Sequence, residues 1–217
     1  MYISCRHGRS EIVKTLISKN VDVNISTLSG FSPLYAASAF GHIDIVNILI
    51  SENAKIDAAN HEGATPLFIA SQMGHAEVVK ELLSRNANID TRLIKSAVSQ
   101  IYIGCDSLMI ACDKGHLPVV KILVQNNAKI YSESQNGWKG IDYARATEKN
   151  DIVEYLTNIE EIFITSEFPK NFSNYPIKYK IMIEEILLIS TYFLLPNDLL
   201  IYMISQILKT IHLIKQL

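Results

Sequence analysis

Six histidines and three cysteines are the residues of this chain best suited to metal binding or nucleophilic chemistry, so their spacing is the first question. Cys105, Cys112 and His116 read as C-x6-C-x3-H, but no fourth ligand follows at zinc spacing. Cys112 aligns with Ser71 in an internal repeat, a small position inside a helix, and reads as a core thiol. His42, His75 and His116 each follow a glycine at a turn that recurs once per repeat, so the repeat accounts for them through local hydrogen bonding. The carboxylate pairs Glu160/Glu161 and Glu184/Glu185 are adjacent in sequence; on a helix they point apart and make poor acid–base partners. The chain has no Gly-rich phosphate loop, no H-E-x-x-H and no G-x-S-x-G. These residues predict no active site, no metal centre and no cofactor. Recognition is the expected class, not catalysis.

Composition narrows what could be recognised. The 217 residues are 48% apolar and 19% charged with a net charge of −2, which is globular and exerts no general pull on nucleic acid or anionic membrane. Three scattered cysteines (Cys5, Cys105 and Cys112) do not form a disulfide framework and suggest a reducing compartment, the cytoplasm or the nucleus. The opening MYISCRHGRSE has charges but no apolar core, so no secretory signal is expected, and the sequons at Asn24 and Asn171 read as chance.

The elements that position these residues repeat. The segments 29–57, 62–90, 103–131 and 136–158 align with one another, and residues 1–24 align with their later portions. One valine marks the register, at Val13, Val46, Val79, Val120 and Val153, with steps of 33, 33, 41 and 33. Ser32 before Pro33 and Thr65 before Pro66 are N-caps followed by Pro at the first helical position, where the missing N–H costs nothing. The Gly of each Gly-His ends that short helix in a left-handed conformation. Val78/Val79 and Leu82/Leu83 then place apolar groups on one face of a second helix. Such a helix pair cannot bury its face alone, so neighbours must stack into a solenoid.

The pattern resembles the ankyrin repeat over residues 1–158, through Thr65-Pro66-Leu67, the variant Ser32-Pro33-Leu34, and the turns Gly41-His42, Gly74-His75 and Gly115-His116. The resemblance implies an all-α solenoid of four to five helix-pair units, the first partial, expected here as a monomer that binds other proteins. Three departures stand out. Met1 falls where Leu34 falls one repeat later, so the first unit starts in mid-helix. Asp106-Ser107-Leu108 and Lys139-Gly140-Ile141 lose the Pro, which should weaken two helix starts. Glu148-Lys149 replaces the last Gly-His.

Ankyrin arrays bind through the tips of projecting fingers and the exposed face of the first helices. By register the resemblance assigns Leu28 and Phe31, then His61 and Glu62, then Gln135, Asn136 and Trp138 to that surface, with Phe40 and Met73 beside the turns. Phe31, Phe40, Met73 and Trp138 are the expected anchors, since exposed aromatics often carry interface energy; Trp138 and Phe40 could equally pack against neighbouring fingers. The step of 41 places eight extra residues between 90 and 104, and Arg92 and Tyr102 there join the expected surface. Leu93, Ile94, Ala97, Val98 and Ile101 have helix-like spacing, which suggests a short helix. A tolerated loop extension fits as well.

Beyond the array the sequence predicts a strap over 159–180, rich in breakers and aromatics, and then two helices within 181–217 divided at Pro196-Asn197-Asp198. Each is too short and too polar for the roughly 20 apolar residues of a membrane span. Leu195-Pro196-Asn197-Asp198-Leu199-Leu200, with Ile204 behind it, resembles the opening of an F-box. That resemblance implies docking of Leu195, Pro196, Leu199, Leu200 and Ile204 to the linker subunit of a cullin-type ubiquitin ligase. A hydrophobic cap on the last repeat is the other reading of the same stripe.

Overall fold

Short helices in pairs follow from the caps and glycines of the sequence. The computed structural model describes residues 1–96 and 99–165, and these are helical with no strand among them. The first helix of each unit is α1 (Tyr2–Arg6), α3 (Pro33–Ala39), α5 (Pro66–Met73), α7 (Ser107–Lys114) and α9 (Gly140–Ala146). The second is α2 (Ser10–Ser18), α4 (Ile43–Ser51), α6 (Ala76–Ser84), α8 (Leu117–Gln125) and α10 (Asn150–Thr165). First helices pack on first helices, from α1 on α3 through to α7 on α9, and second helices on second, from α2 to α8. The result is a two-layer solenoid within the unit Met1–Val153. The predicted helices of 181–217, and with them Leu195, Pro196, Leu199, Leu200 and Ile204, lie outside the described residues.

Helix starts are fixed as the sequence predicts. Ser32 Oγ accepts from Tyr35 N at 3.0 Å and Thr65 Oγ1 from Phe68 N at 3.2 Å, with Pro at the next position. Loss of the Pro at the fourth unit is compensated: one carboxylate oxygen of Asp106 accepts from both Leu108 N and Met109 N, each at 3.0 Å. At the fifth, Lys139 N donates to Asp142 Oδ2 at 2.9 Å, so a side chain inside the helix reaches back to its start.

The register valines Val13, Val46, Val79 and Val120 are fully buried, whereas Val153 is half-buried. Gly8, Gly41, Gly74 and Gly115 end the first helices at φ between 67° and 81°, and Glu148 takes the same conformation at 58°. Second helices end on a left-handed residue too: Asn20, Asn53, Asn86 and Asn127 all have positive φ. Asn tolerates this region better than other side chains.

The turn histidines correct the expectation of local bonding. His42 Nε2 lies 3.2 Å from the Arg6 carbonyl, His75 Nε2 3.0 Å from that of Ala39, and His116 Nε2 3.0 Å from that of Gln72. A carbonyl only accepts, so each ring donates from Nε2 to the preceding unit. The ring then lies across that unit's glycine: a Cβ on Gly41 would fall 2.6 Å from His75, and one on Gly74 2.6 Å from His116. The glycine is therefore required twice, for its φ and for the space its neighbour fills. At Gly115 the stem of Lys149 takes the place of the ring.

Candidate protein-binding surface

Fingers between the units are joined tip to tip through the backbone. His61 N donates to Ser29 O, Ile94 N to Glu62 O and Gln135 N to Ile103 O, at 3.2, 2.9 and 3.1 Å. Within the second finger Asn60 Oδ1 accepts from Glu62 N and Ala64 N, both at 2.9 Å, which fixes a tight tip. In the third finger Leu93 replaces this Asn; its N donates to Cys105 O at 2.9 Å and its carbonyl accepts from Gly104 N at 2.8 Å. The hairpin mouth is thus retained and the extra residues all lie beyond it. The expected short helix reduces, among the described residues, to one 3₁₀ turn over Gln100–Tyr102. Leu93 turns inward as part of the core while Ile94 is exposed, which breaks the helical spacing.

The structure divides the predicted surface residues into presented and engaged. Leu28 is wholly exposed at the first tip, and His61 and Gln135 are exposed at theirs. Phe40 and Met73, one repeat apart, are 48% and 50% exposed. Phe40 also stacks on His42, with centroids 6.4 Å apart, and carries the Arg6 guanidinium 5.4 Å above its ring. Phe31 is half-buried between Tyr35 and Tyr2, at 4.9 and 6.4 Å. Glu62 is half-buried, and its charge adds to burial in raising the Tyr35 hydroxyl to about 12.

Four of the residues serve the array itself. Arg92 donates to the carbonyls of Gly104, at 3.2 Å, and Glu133, tying the third finger to the fourth. Trp138 is half-buried, edge-on to Tyr143 at 5.1 Å. Asn136 is exposed, yet its Oδ1 accepts from Ser134 Oγ and faces the Tyr143 hydroxyl at 3.2 Å. Tyr102 donates to Asp113 Oδ2 at 3.1 Å and accepts from Lys114 Nζ at 3.3 Å.

Sequence reasoning missed Tyr2, Tyr35 and Arg6, which build the surface around Phe31 and Phe40. The signal was present, since Tyr2, Tyr35 and Phe68 fall one repeat apart. It also missed Tyr143, which stands where Ala36, Ile69 and Ile110 stand in the earlier units.

All three thiols are buried and free. Burial pushes Cys5 and Cys105 up to about 11 and raises Cys112 as well. Cys112 Sγ would lie 3.2 Å from a Cβ on Gly140, which accounts for the glycine that opens α9. No group of three or more metal-ligating side chains converges among the described residues, and no helix there is long and apolar enough to cross a membrane.

Comparison with known families gives two matches. The model described as ankyrin repeats (3 copies) covers residues 1–93, and that of a single ankyrin repeat covers 104–134. The interval between them coincides with the enlarged finger tip. No curated protein matches the chain. Stacked helix pairs, glycine-ended turns, fingers and both matches lead to one conclusion: this chain belongs to the ankyrin-repeat family.

Proposed function

We propose that this chain is a protein-binding module whose partner contacts the first three units, through the finger tips and the ends of the inner helices. The observation that carries this reading is the half-exposure of Phe40 and Met73 at equivalent positions of successive units, together with the wholly exposed finger-tip Leu28. Each keeps about half or more of its surface open, and aromatic and Met side chains are enriched at interfaces. The test is affinity capture with the full chain, then titration of the captured protein against Leu28→Ala/Phe40→Ala/Met73→Ala. Binding should weaken at least tenfold, with the thermal transition lowered only slightly, as loss of the Arg6–Phe40 contact implies. Equal affinity for the triple variant sinks the assignment.

A narrower reading makes the array the substrate-selecting arm of a cullin-type ubiquitin ligase. It rests on the sequence Leu195-Pro196-Asn197-Asp198-Leu199-Leu200 alone. In that case Leu195→Ala/Pro196→Ala in the full chain abolishes co-purification of a cullin linker subunit and leaves the array's own partner bound. If no linker subunit co-purifies with the unmodified chain, the tail acts as a cap and the protein as a plain scaffold.

A further inference from the structure

Two residues of the first helices depart from the repeat, Tyr143 by being polar and Asp113 by being charged and buried, and both bond the finger-tip insertion. Tyr143 occupies the position of Ala36, Ile69 and Ile110. Its hydroxyl lies 2.6 Å from the carbonyl of Ile101, the nearest acceptor for its single proton, and accepts from Cys105 Sγ at 3.1 Å. Asp113 occupies the position of Ala39 and Gln72, which are half-buried, yet it is itself buried. Its carboxylate takes the Tyr102 hydroxyl, with Lys114 Nζ at 2.8 Å. Lys114 also sits 5.1 Å above the Tyr102 ring, and that ring stacks on Tyr143 at 6.4 Å. Ile101, Tyr102 and Trp138 pack on the core formed by Phe68, Met109 and Tyr143. Aliphatic residues would suffice there if nothing polar lay across the face.

We infer that the inner face of α7 and α9 is a binding site for an aliphatic–tyrosine segment, and that Ser99–Gly104 is its resident occupant. The site supplies a phenol donor for the occupant's backbone carbonyl, a carboxylate for its tyrosine hydroxyl, and an ammonium over its ring. A partner of other chemistry is excluded from this face and confined to the first three units; one that presents the same pair competes with the insertion. The inference rests on the reading of the inner face as the partner surface. Its test needs no partner, so failure here leaves the Leu28, Phe40 and Met73 experiment standing.

The seat is tested in the full chain by replacing residues 94–103 with His-Glu, the tip of the second finger, which restores a 33-residue step above the retained mouth. Trp138 is the only tryptophan and lies at the site. In the shortened chain its emission should shift to the red and acrylamide quenching should rise. The peptide Ser-Gln-Ile-Tyr-Ile-Gly (residues 99–104) should reverse both saturably, its Tyr-to-Phe form should bind at least fivefold more weakly, and neither should affect the unmodified chain. No saturable response up to millimolar peptide overturns the proposal. Should the shortened chain fail to fold, Tyr143→Phe in the unmodified chain decides. Amide exchange at Tyr102 and Ile103 should accelerate about tenfold, as loss of one buried hydrogen bond implies, while Leu93 at the mouth is unchanged. Equal acceleration at both places would mean general loosening and overturns the proposal; so would none at either.

Discussion

At the scale of single residues, the turn glycine and the histidine of the next unit act as a pair. Gly74 has φ of 77° and would place a Cβ 2.6 Å from the His116 ring, whereas Gly137, at 78°, has nothing within 4 Å of its Cβ position. Gly137→Ala should therefore cost only the left-handed backbone, about 1 kcal/mol. Gly74→Ala adds displacement of a bonded ring and should cost about 2–4 kcal/mol by urea denaturation. Equal costs would remove the ring from the account. The Gly-His dipeptide was legible in the sequence. Its bond across units was not, because a repeat spacing fixes which residues are equivalent and not which carbonyl a ring faces.

The thiols give a pH prediction at the same scale. Cys5 and Cys105 hold their protons to about 11 when folded, above the ordinary thiol value of 9.0. Above pH 9 the unfolded chain sheds these protons first, so it binds fewer than the native state and stability falls as pH rises. The loss should begin near pH 9 and continue past about 11, where Cys5 and Cys105 ionise in the folded chain, because burial raises the third thiol, Cys112, as well. Denaturation midpoints from pH 8 to 10 check it, and Cys105→Ala should reduce the slope. An unchanged slope in that variant would assign the effect elsewhere.

At the scale of elements, helix starts explain why units without the Pro still form. Asp106 caps α7 with two backbone bonds and accepts from Ser132 Oγ at 2.8 Å, although burial raises its carboxyl above the ordinary value. Asp106→Ala should cost about 1–2 kcal/mol, read as a lowered thermal midpoint. Asp106→Asn keeps an acceptor for both amides and removes a buried charge, so it should lie within about 0.5 kcal/mol of the parent. A large loss in the Asn variant would mean that the charge itself is needed. The sequence showed that the Pro was missing but not that Asp106 accepts twice, since that depends on how the side chain turns. The insertion was legible in length and place. Its form was not, because Leu93 and Ile101 are held by a finger mouth and by Tyr143 instead of by helical neighbours.

At the scale of the whole molecule, each unit is buried by its neighbours, so position along the array sets what a residue contributes. Ile12 and Ile45 are equivalent by register, yet Ile12 is 50% exposed and Ile45 is 1%. Ile45→Ala should cost about 2–5 kcal/mol, as buried aliphatic truncations do, and Ile12→Ala less than about 1. Chemical denaturation of the two variants checks this, and similar costs would mean that Ile12 is covered in solution. The stack of helix pairs was almost wholly legible, since Val13, Val46, Val79 and Val120 recur in step and all four are buried. Exposure was legible only in part: of the residues the register assigned to the surface, Phe40 and Met73 are half-exposed, whereas Trp138 packs on Tyr143.

The closed mouth at Leu93 and Cys105 has a consequence for how such an array changes. Because the hydrogen bonds of the mouth persist below a longer tip, a change of length there is not transmitted to the helices on either side. Lengthening an already closed loop costs only about 0.6 kcal/mol per doubling. The third finger is therefore a natural graft point. Unrelated peptides installed between Lys95 and Ser99, with Ile101 and Tyr102 kept on Tyr143 and Asp113, should be displayed on an undisturbed scaffold, which offers a route to new binding specificity that leaves the stacked units alone.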